Sequence, residues 1–257
     1  MPHPSLRPRL QAGEILITAW STTPDPLIAE FLARSGFDAV SMDMQHGSHT
    51  SESMMRGVAA ITLAGKPAGV RIPVGRFEMA SHALDSGASL VIAPMVNSAA
   101  DARAFAAAMK FPPLGERSWG PTRVLALHGI EAQTYLETCN TDTLAIAMIE
   151  TREAQAALDD ILAVDGIDGV FVGPSDFSIA LSHGAKVDAN NPGMLKAAAE
   201  VAARTTRAGK IPCTLAITPE AARRSRDMGF RFIALASDLL YLTSGAKAML
   251  AEARKVS

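Results

Sequence analysis

The chain has 257 residues, of which 48% are hydrophobic and 19% are charged, and its formal net charge is −2. This composition supplies enough apolar material for one large α/β domain and argues against intrinsic disorder. The small net charge and the lack of a long basic run argue against a nucleic-acid-binding protein. The two cysteines, Cys139 and Cys213, are too few for a disulfide scaffold or a zinc ribbon.

Short β-rich apolar runs alternate along the chain with longer, amphipathic stretches that are rich in alanine. The runs predict strands at 15–20, 39–43, 68–72, 90–95, 144–149, 169–172, 212–217 and 232–236. The stretches predict helices at 24–36, 51–64, 76–86, 99–110, 152–163, 194–208, 219–228 and 238–253. Eight strand–helix units of this kind, with strands that are apolar throughout, predict a single (β/α)₈ TIM barrel domain over 1–257.

The rival architecture is an open, doubly wound sheet, which usually has a glycine-rich phosphate turn after its first strand. Residues 21–25 read Ser-Thr-Thr-Pro-Asp and contain no glycine, so the barrel is favoured. The least regular segment is 111–140, between the fourth and fifth predicted strands. A loop of this length in a compact domain is usually functional or lies at an interface.

No apolar run is long enough to span a membrane, and the first residues lack the apolar segment of a signal peptide. We therefore expect a soluble, cytoplasmic protein without a membrane partner.

Acidic residues follow two successive predicted strands. Glu150 comes after the fifth strand and Asp176 after the sixth, so both are expected at the C-terminal rim of the barrel. A carboxylate at the end of an apolar strand is costly to bury unless it is paired or binds a metal. The two acids together predict a site for a hard divalent cation such as Mg²⁺ or Mn²⁺. The alternative is that each caps a helix or pairs with an arginine such as Arg152.

Further ionisable groups are predicted at the same rim. Arg71 ends the third strand and could bind a carboxylate or enolate oxygen, or pair with Asp43 or Glu150. His46 is the natural proton carrier, and Asp43 or Asp85 could orient its ring. The remaining histidines are predicted to lie on the surface: His3, His49, His82, His128 and His183.

The segment from Gly173 to Asp176 is predicted to form a tight turn, whose backbone N–H groups could hold a substrate carboxylate. The alternative is a simple reversal of the chain after the sixth strand. No lysine is well placed to form a Schiff base inside the barrel, and Lys186, in a rim loop, is the only weak candidate. A metal is therefore favoured over an imine as the electron sink.

Six motifs, in order along the chain, resemble the HpcH/HpaI aldolase family of metal-dependent class II pyruvate aldolases. They are Ala39-Val-Ser-Met-Asp-Met-Gln-His-Gly, Gly69-Val-Arg-Ile-Pro, Val91-Ile-Ala-Pro-Met-Val, Phe111-Pro-Pro-Leu-Gly-Glu-Arg, Ile149-Glu-Thr-Arg-Glu-Ala and Gly166-Ile-Asp-Gly-Val-Phe-Val-Gly-Pro-Ser-Asp-Phe-Ser. The resemblance implies a phosphoenolpyruvate/pyruvate-type barrel. It also implies that the C-terminal helix is exchanged between neighbours in a homo-hexamer built as a trimer of dimers.

The resemblance also implies roles for individual residues. Glu150 and Asp176 would hold Mg²⁺, Mn²⁺ or Co²⁺, and Arg71 would stabilise the pyruvate enolate. His46, supported by Asp43, would take part in proton transfer at the aldol oxygen. The neighbouring subunit would contribute Asp85. The substrate would contact Arg71, Gly173, Ser175, Met148 and Leu215.

Two positions depart from the pattern of the family. Met148 stands where the family often has Gln, and it removes one polar contact because a thioether is a weak acceptor and no donor. Gln45 stands where the family often has Glu, and it removes a negative charge near the site. Both changes bear on substrate preference and rate.

The function that we expect is metal-dependent aldol cleavage of 4-hydroxy-2-oxo acids. The enzyme would break or form the bond between a pyruvate or hydroxypyruvate enolate and an aldehyde, both of them small molecules. One alternative is an oxaloacetate decarboxylase, or a related enolate-forming lyase, that uses the same site. A second is a catalytically silent binding or assembly protein, for which Met148 is the only support.

Overall fold

The computed structural model describes residues 5–255, in which eight parallel strands form a closed barrel. Each strand pairs with the next along the chain, and the eighth pairs with the first. The strands are β1 Leu16–Ser21, β2 Ala39–Asp43, β3 Ala68–Arg71, β4 Leu90–Ala93, β5 Leu144–Ile149, β6 Gly169–Val172, β7 Ile211–Ala216 and β8 Phe232–Leu235. The predicted (β/α)₈ barrel is confirmed. The bounds of β2, β5 and β6 are as predicted, and those of the other five strands differ by one or two residues.

Thirteen helices accompany the strands in the described part of the chain. They are α1 Arg7–Gln11, α2 Pro26–Arg34, α3 Ser51–Leu63, α4 Glu78–Ser86, α5 Ala99–Met109, α6 Thr122–His128, α7 Ala132–Asp142, α8 Arg152–Ala156, α9 Leu158–Leu162, α10 Pro174–Leu181, α11 Pro192–Arg207, α12 Pro219–Asp227 and α13 Asp238–Ala253. Between residues 5 and 255, none of them combines the length and apolar character needed to cross a bilayer.

The helices differ from the prediction in four segments. The helix predicted over 152–163 is divided at Ala157 into α8 and α9. The segment 111–140, predicted to be irregular, contains α6 and most of α7. Residues 129–131 separate the two helices, and Gly129 among them is in the left-handed conformation. The short helices α1 and α10 were not predicted. Each has fewer than nine residues, too few for an apolar helical repeat to stand out.

Side chains of the strands alternate between the barrel interior and the surrounding helices. The interior cluster contains Leu16, Leu144 and Phe232, and it also includes Leu6 and Leu10 from the segment around α1. The outward side chains pack against the helices in a second and larger cluster. Because both faces of each strand are buried, the strands read as continuous apolar runs in the sequence.

The first residue of α13 is fixed to the end of β1. The Asp238 carboxylate accepts hydrogen bonds from the backbone N–H groups of Thr22, at 2.9 Å, and Thr23, at 2.8 Å. Asp238 is the only buried residue among those of α13, whereas Leu242 and Met249 are 68% and 76% exposed. Much of the apolar surface of this helix is therefore uncovered in a single chain.

Two histidines that were predicted to lie on the surface are buried, and His3 lies outside the described residues. His49 is 6% exposed, and its ring nitrogens lie 3.1 Å from Ser21 Oγ and 3.2 Å from Ser53 Oγ. His128, in α6, is 1% exposed. The prediction was wrong for both because a polar residue in a predicted loop or irregular segment gives no sign that the chain folds back over it.

Burial lowers the pKa of His49, although the charges of Asp238 and Asp43 oppose the shift. The unfolded chain therefore takes up a proton at this site at a higher pH than the folded protein, so stability falls as the pH drops below about 6.5. We expect the loss of unfolding free energy between about pH 7.5 and about pH 5.5 to be smaller in His49→Gln than in the unmodified protein. Urea unfolding at the two pH values measures this difference.

The exposed His82 provides the matched control, since His82→Gln should leave the pH dependence unchanged. If His49→Gln and the unmodified protein lost the same unfolding free energy between the two pH values, the expectation would be contradicted.

Candidate active site

A cavity of about 180 Å³ opens at the C-terminal rim of the barrel. This is the end at which barrel enzymes carry their catalytic groups. An open groove of about 800 Å³ lies on the outer helices, so volume alone does not identify the site. The rim cavity is lined by Trp20, His46, Arg71, Met148, Glu150, Phe171, Gly173, Pro174, Ser175, Asp176 and Leu215. The structure thus brings together eight of the predicted site residues and leaves out Asp43 and Asp85.

Arg71 and Asp43 form a buried ion pair beside the cavity. They are register partners at the ends of β3 and β2, so their side chains enter the barrel side by side. Nε of Arg71 donates to Oδ1 of Asp43 at 2.9 Å, and Nη2 donates to Oδ2 at 2.6 Å. Burial opposes ionisation of Asp43, but the hydrogen bonds and charge of Arg71 outweigh it and lower the pKa of this carboxyl. The pair leaves Nη1 of Arg71 without a partner among residues 5–255.

The Asp43 carboxylate also fixes the backbone of the loop that follows β2. It accepts from the backbone N–H groups of Gln45, at 3.0 Å, and His46, at 3.3 Å. Asp43 therefore contacts His46 through the main chain and does not orient its ring. The imidazole of His46 lies at the exposed mouth of the cavity.

Trp20 is a site residue that the sequence analysis did not single out. Its Nε1 donates to Asp43 at 3.3 Å, and the guanidinium of Arg71 lies 5.0 Å from the centre of its ring. The ring also packs against Phe171, at 5.9 Å between centroids. Its place in the sequence would have predicted this. Trp20 lies near the end of the first strand, at the inward-facing spacing of Leu16 and Thr18.

Glu150 is 2% exposed and follows directly after β5. Its Oε2 accepts one hydrogen bond, from the backbone N–H of Met95 at 2.9 Å. On the other side, a Cβ added to Gly173 would lie only 2.6 Å from Oε1, so the absence of a side chain there makes room for the carboxylate. Burial raises the pKa of Glu150, and the charge of Asp176 raises it further, against the effects of the Met95 N–H and of Arg71.

The segment from Gly173 to Asp176 is the start of a helix and not the tight turn that was predicted. Gly173 is the N-cap of α10, Pro174 occupies the first helical position, and Asp176 lies exposed in the first turn. The backbone N–H groups of Ser175 and Asp176 have no partner within the helix, as is usual for a first turn. The site therefore contains a helix N-terminus that favours anions.

The described residues contain no cluster of three or more Asp, Glu, His or Cys side chains that could hold a metal. The rim cavity offers two carboxylates instead, those of Glu150 and Asp176. Two oxygen donors suit a hard cation that keeps several positions for water and substrate. A second observation supports such a cation. Among residues 5–255, the buried Glu150 carboxylate forms no ion pair, and its Oε1 accepts no hydrogen bond.

Asp85 lies on α4 and does not reach the cavity of its own chain. Its Oδ1 accepts from Nη2 of Arg117 at 2.6 Å. The guanidinium of Arg117 lies 4.5 Å from the centre of the Phe111 ring and also donates to the Tyr135 hydroxyl at 3.1 Å. The irregular segment that begins at Phe111 thus holds Asp85 on the outside of the barrel.

Comparison with known proteins identifies the family. The model of the HpcH/HpaI aldolase/citrate lyase family matches residues 16–244. A hydroxypyruvate/pyruvate aldolase from Rhizorhabdus wittichii is 39% identical over 94% of this chain and 95% of that protein. A 2-keto-3-deoxy-L-rhamnonate aldolase from Klebsiella pneumoniae is 31% identical over 94% of this chain and 90% of that protein.

A crystal structure of a family protein from Burkholderia cenocepacia superposes with a TM-score of 0.88 at 30% identity, over 97% of this chain and 99% of that one. Sequence and fold agree over nearly the whole length. The chain belongs to the HpcH/HpaI aldolase/citrate lyase family, and it is a carbon–carbon lyase, as its relatives named aldolases are.

Proposed function

We propose that the protein is a metal-dependent aldolase that cleaves 4-hydroxy-2-oxo acids into pyruvate, or hydroxypyruvate, and an aldehyde. The observation that carries the proposal is the convergence of Arg71, Glu150 and Asp176 on one cavity at the C-terminal rim. The names of the relatives, hydroxypyruvate/pyruvate aldolase and 2-keto-3-deoxy-L-rhamnonate aldolase, support this substrate class.

Glu150 and Asp176 would hold the divalent cation, which can be Mg²⁺, Mn²⁺ or Co²⁺. When bound, it would stabilise negative charge that develops on the oxygens of the 2-oxo acid. The backbone N–H of Ser175, in the first turn of α10, would bind the substrate carboxylate, since a helix N-terminus favours anions.

Cleavage begins with removal of the proton from the C4 hydroxyl, with His46 taking part in the proton transfer. The C3–C4 bond then breaks, the aldehyde leaves, and a pyruvate enolate remains. Arg71 stabilises this enolate through Nη1, because Nε and Nη2 are fixed on Asp43. Protonation of C3 completes the formation of pyruvate.

The apolar part of the cavity lining is formed by Trp20, Met148, Phe171 and Leu215. Met148 is 1% exposed and faces Phe171 across the β5–β6 pair. A wall of this kind would exclude water from the enolate and would pack against the carbon chain of the substrate.

We further propose a homo-hexamer, a trimer of dimers, in which α13 is exchanged and Asp85 completes the site of a neighbouring subunit. The exposed apolar residues of α13, including Leu242 and Met249, support this proposal.

We expect Leu242→Glu to reduce the molecular mass of the assembly, measured by sedimentation, while the secondary structure persists. The substitution Lys247→Glu, on the same exposed helix, provides the matched control. An unchanged mass for Leu242→Glu would contradict the exchange.

A substrate panel tests the activity. Protein loaded with Mg²⁺ or Mn²⁺ is incubated with pyruvate or hydroxypyruvate and a series of aldehydes, and condensation products are measured with and without EDTA. We expect products that disappear with EDTA. Full activity in EDTA would contradict metal dependence. If carbon dioxide release from oxaloacetate far exceeded every aldol rate, the protein would be a decarboxylase. The absence of both aldol condensation and decarboxylation would indicate a catalytically silent binding protein.

A further inference from the structure

We propose that the backbone of Met95 is a positioning element that orients Glu150 for cation binding. This inference rests on the proposed function, because it assigns a role to a residue next to the proposed cation ligands. Met95 lies in the loop between β4 and α5 and is not among the residues that line the cavity.

Met95 adopts an unusual backbone conformation. Its φ is +55°, in the left-handed region that residues other than glycine seldom occupy. In this conformation its N–H points at Oε2 of Glu150, at a distance of 2.9 Å. Strained backbone of this kind persists only where the surroundings enforce it, and it is frequent at functional sites.

The neighbours of Met95 hold the loop in place. Pro94 and Val96, on either side, are both buried. The loop is also tied to the segment that carries the carboxylate, since the Thr151 hydroxyl donates to Oδ1 of Asn97 at 2.6 Å. Asn97 lies two residues after Met95, and Thr151 lies one residue after Glu150. Their hydrogen bond therefore joins the two loops beside the Glu150 carboxylate.

The two oxygens of Glu150 have different surroundings. The Met95 N–H occupies Oε2, and Oε1 faces Gly173 at the start of α10. The Met95 N–H therefore fixes the orientation of the carboxylate, and Oε1 lies beside Gly173, three residues before Asp176, with which Glu150 would hold the cation.

The side chain of Met95 is not the source of this effect. It is 36% exposed and belongs to neither of the two large core clusters. The backbone N–H is common to every residue except proline, and what differs among substitutions is the ease of adopting a positive φ. Glycine adopts it freely, asparagine tolerates it, and β-branched residues strongly resist it.

The test is the affinity for Mn²⁺, measured by calorimetry, in Met95→Val, Met95→Gly and Met95→Asn. We expect Met95→Val to raise the Kd about 10- to 100-fold, as is typical when a group that orients a ligand is lost. Met95→Gly and Met95→Asn should bind nearly as tightly as the unmodified protein. Saturating Mn²⁺ should restore most of the turnover of Met95→Val, because the defect lies in binding the cation.

If the Met95 side chain were responsible, Met95→Val would bind Mn²⁺ more tightly than Met95→Gly, because valine keeps an apolar side chain and glycine has none. Tight binding by Met95→Val, or weak binding by Met95→Gly, would overturn the inference. If Met95→Val does not fold, Met95→Ala replaces it, because alanine differs from glycine only by the Cβ that disfavours positive φ. Equal affinities for alanine and glycine would then overturn it. Failure of the unmodified protein to bind Mn²⁺ would instead refute the proposed function, and this inference with it.

Discussion

Replacement of Arg71 by methionine is expected to reduce kcat for pyruvate formation by about 10²- to 10³-fold, the usual cost of removing one preorganised donor to a developing oxyanion. The same substitution should lower the free energy of unfolding by about 3–5 kcal/mol, because it leaves a buried carboxylate without its partner. That carboxylate is Asp43, whose side chain is 2% exposed. Steady-state kinetics and urea unfolding measure the two effects.

The double variant Arg71→Met/Asp43→Asn separates catalysis from stability. The uncharged amide no longer needs a cation beside it, so we expect most of the lost stability to return while the activity stays low. Arg71→Lys should lie between the unmodified protein and Arg71→Met, because lysine keeps the charge and cannot make two parallel hydrogen bonds. Recovery of activity in the double variant would mean that Arg71 serves only to neutralise Asp43.

Glu150→Gln is expected to abolish metal-dependent activity and to raise the Kd for Mn²⁺ by more than about 100-fold. Removal of a metal ligand should weaken cation binding more than removal of a group that only orients the ligand. Without metal, the variant should be at least as stable as the unmodified protein. The reason is that burial of the Glu150 carboxylate opposes its ionisation, and an amide of the same shape removes that cost. Calorimetry and thermal unfolding with and without Mn²⁺ measure these properties.

Glu153, an exposed acid in the first turn of α8, provides a matched control for this experiment. Glu153→Gln removes the same charge three residues away and should leave both affinity and activity unchanged. Asp176→Asn should reproduce the loss of affinity. If Glu150→Gln bound Mn²⁺ as tightly as the unmodified protein, Glu150 would not be a ligand.

Much of the fold was predictable because each strand is buried on both faces and therefore reads as an uninterrupted apolar run. Glu150 and Arg71 were predictable as site residues for a related reason. A charged side chain at the end of such a run must lie at the barrel rim, and the C-terminal rim is where parallel barrels carry their catalytic groups.

Other features depend on contacts between distant parts of the chain. The pairing of Asp43 with Arg71 follows from the register of β2 and β3, which sequence spacing alone does not fix. The positive φ of Met95 is imposed by its surroundings, and methionine gives no sign of it. The burial of His49 likewise depends on Ser21 and Ser53, which approach it from β1 and α3.

The most direct test of the central claim is a crystal structure of the protein soaked with Mn²⁺ and pyruvate, with the metal located by its anomalous scattering. We expect one strong peak in the rim cavity, with oxygen atoms of Glu150 and Asp176 about 2–2.5 Å away and the pyruvate carboxylate near the Ser175 N–H. A peak elsewhere, or a cavity that holds pyruvate and no metal at saturating Mn²⁺, would contradict the account.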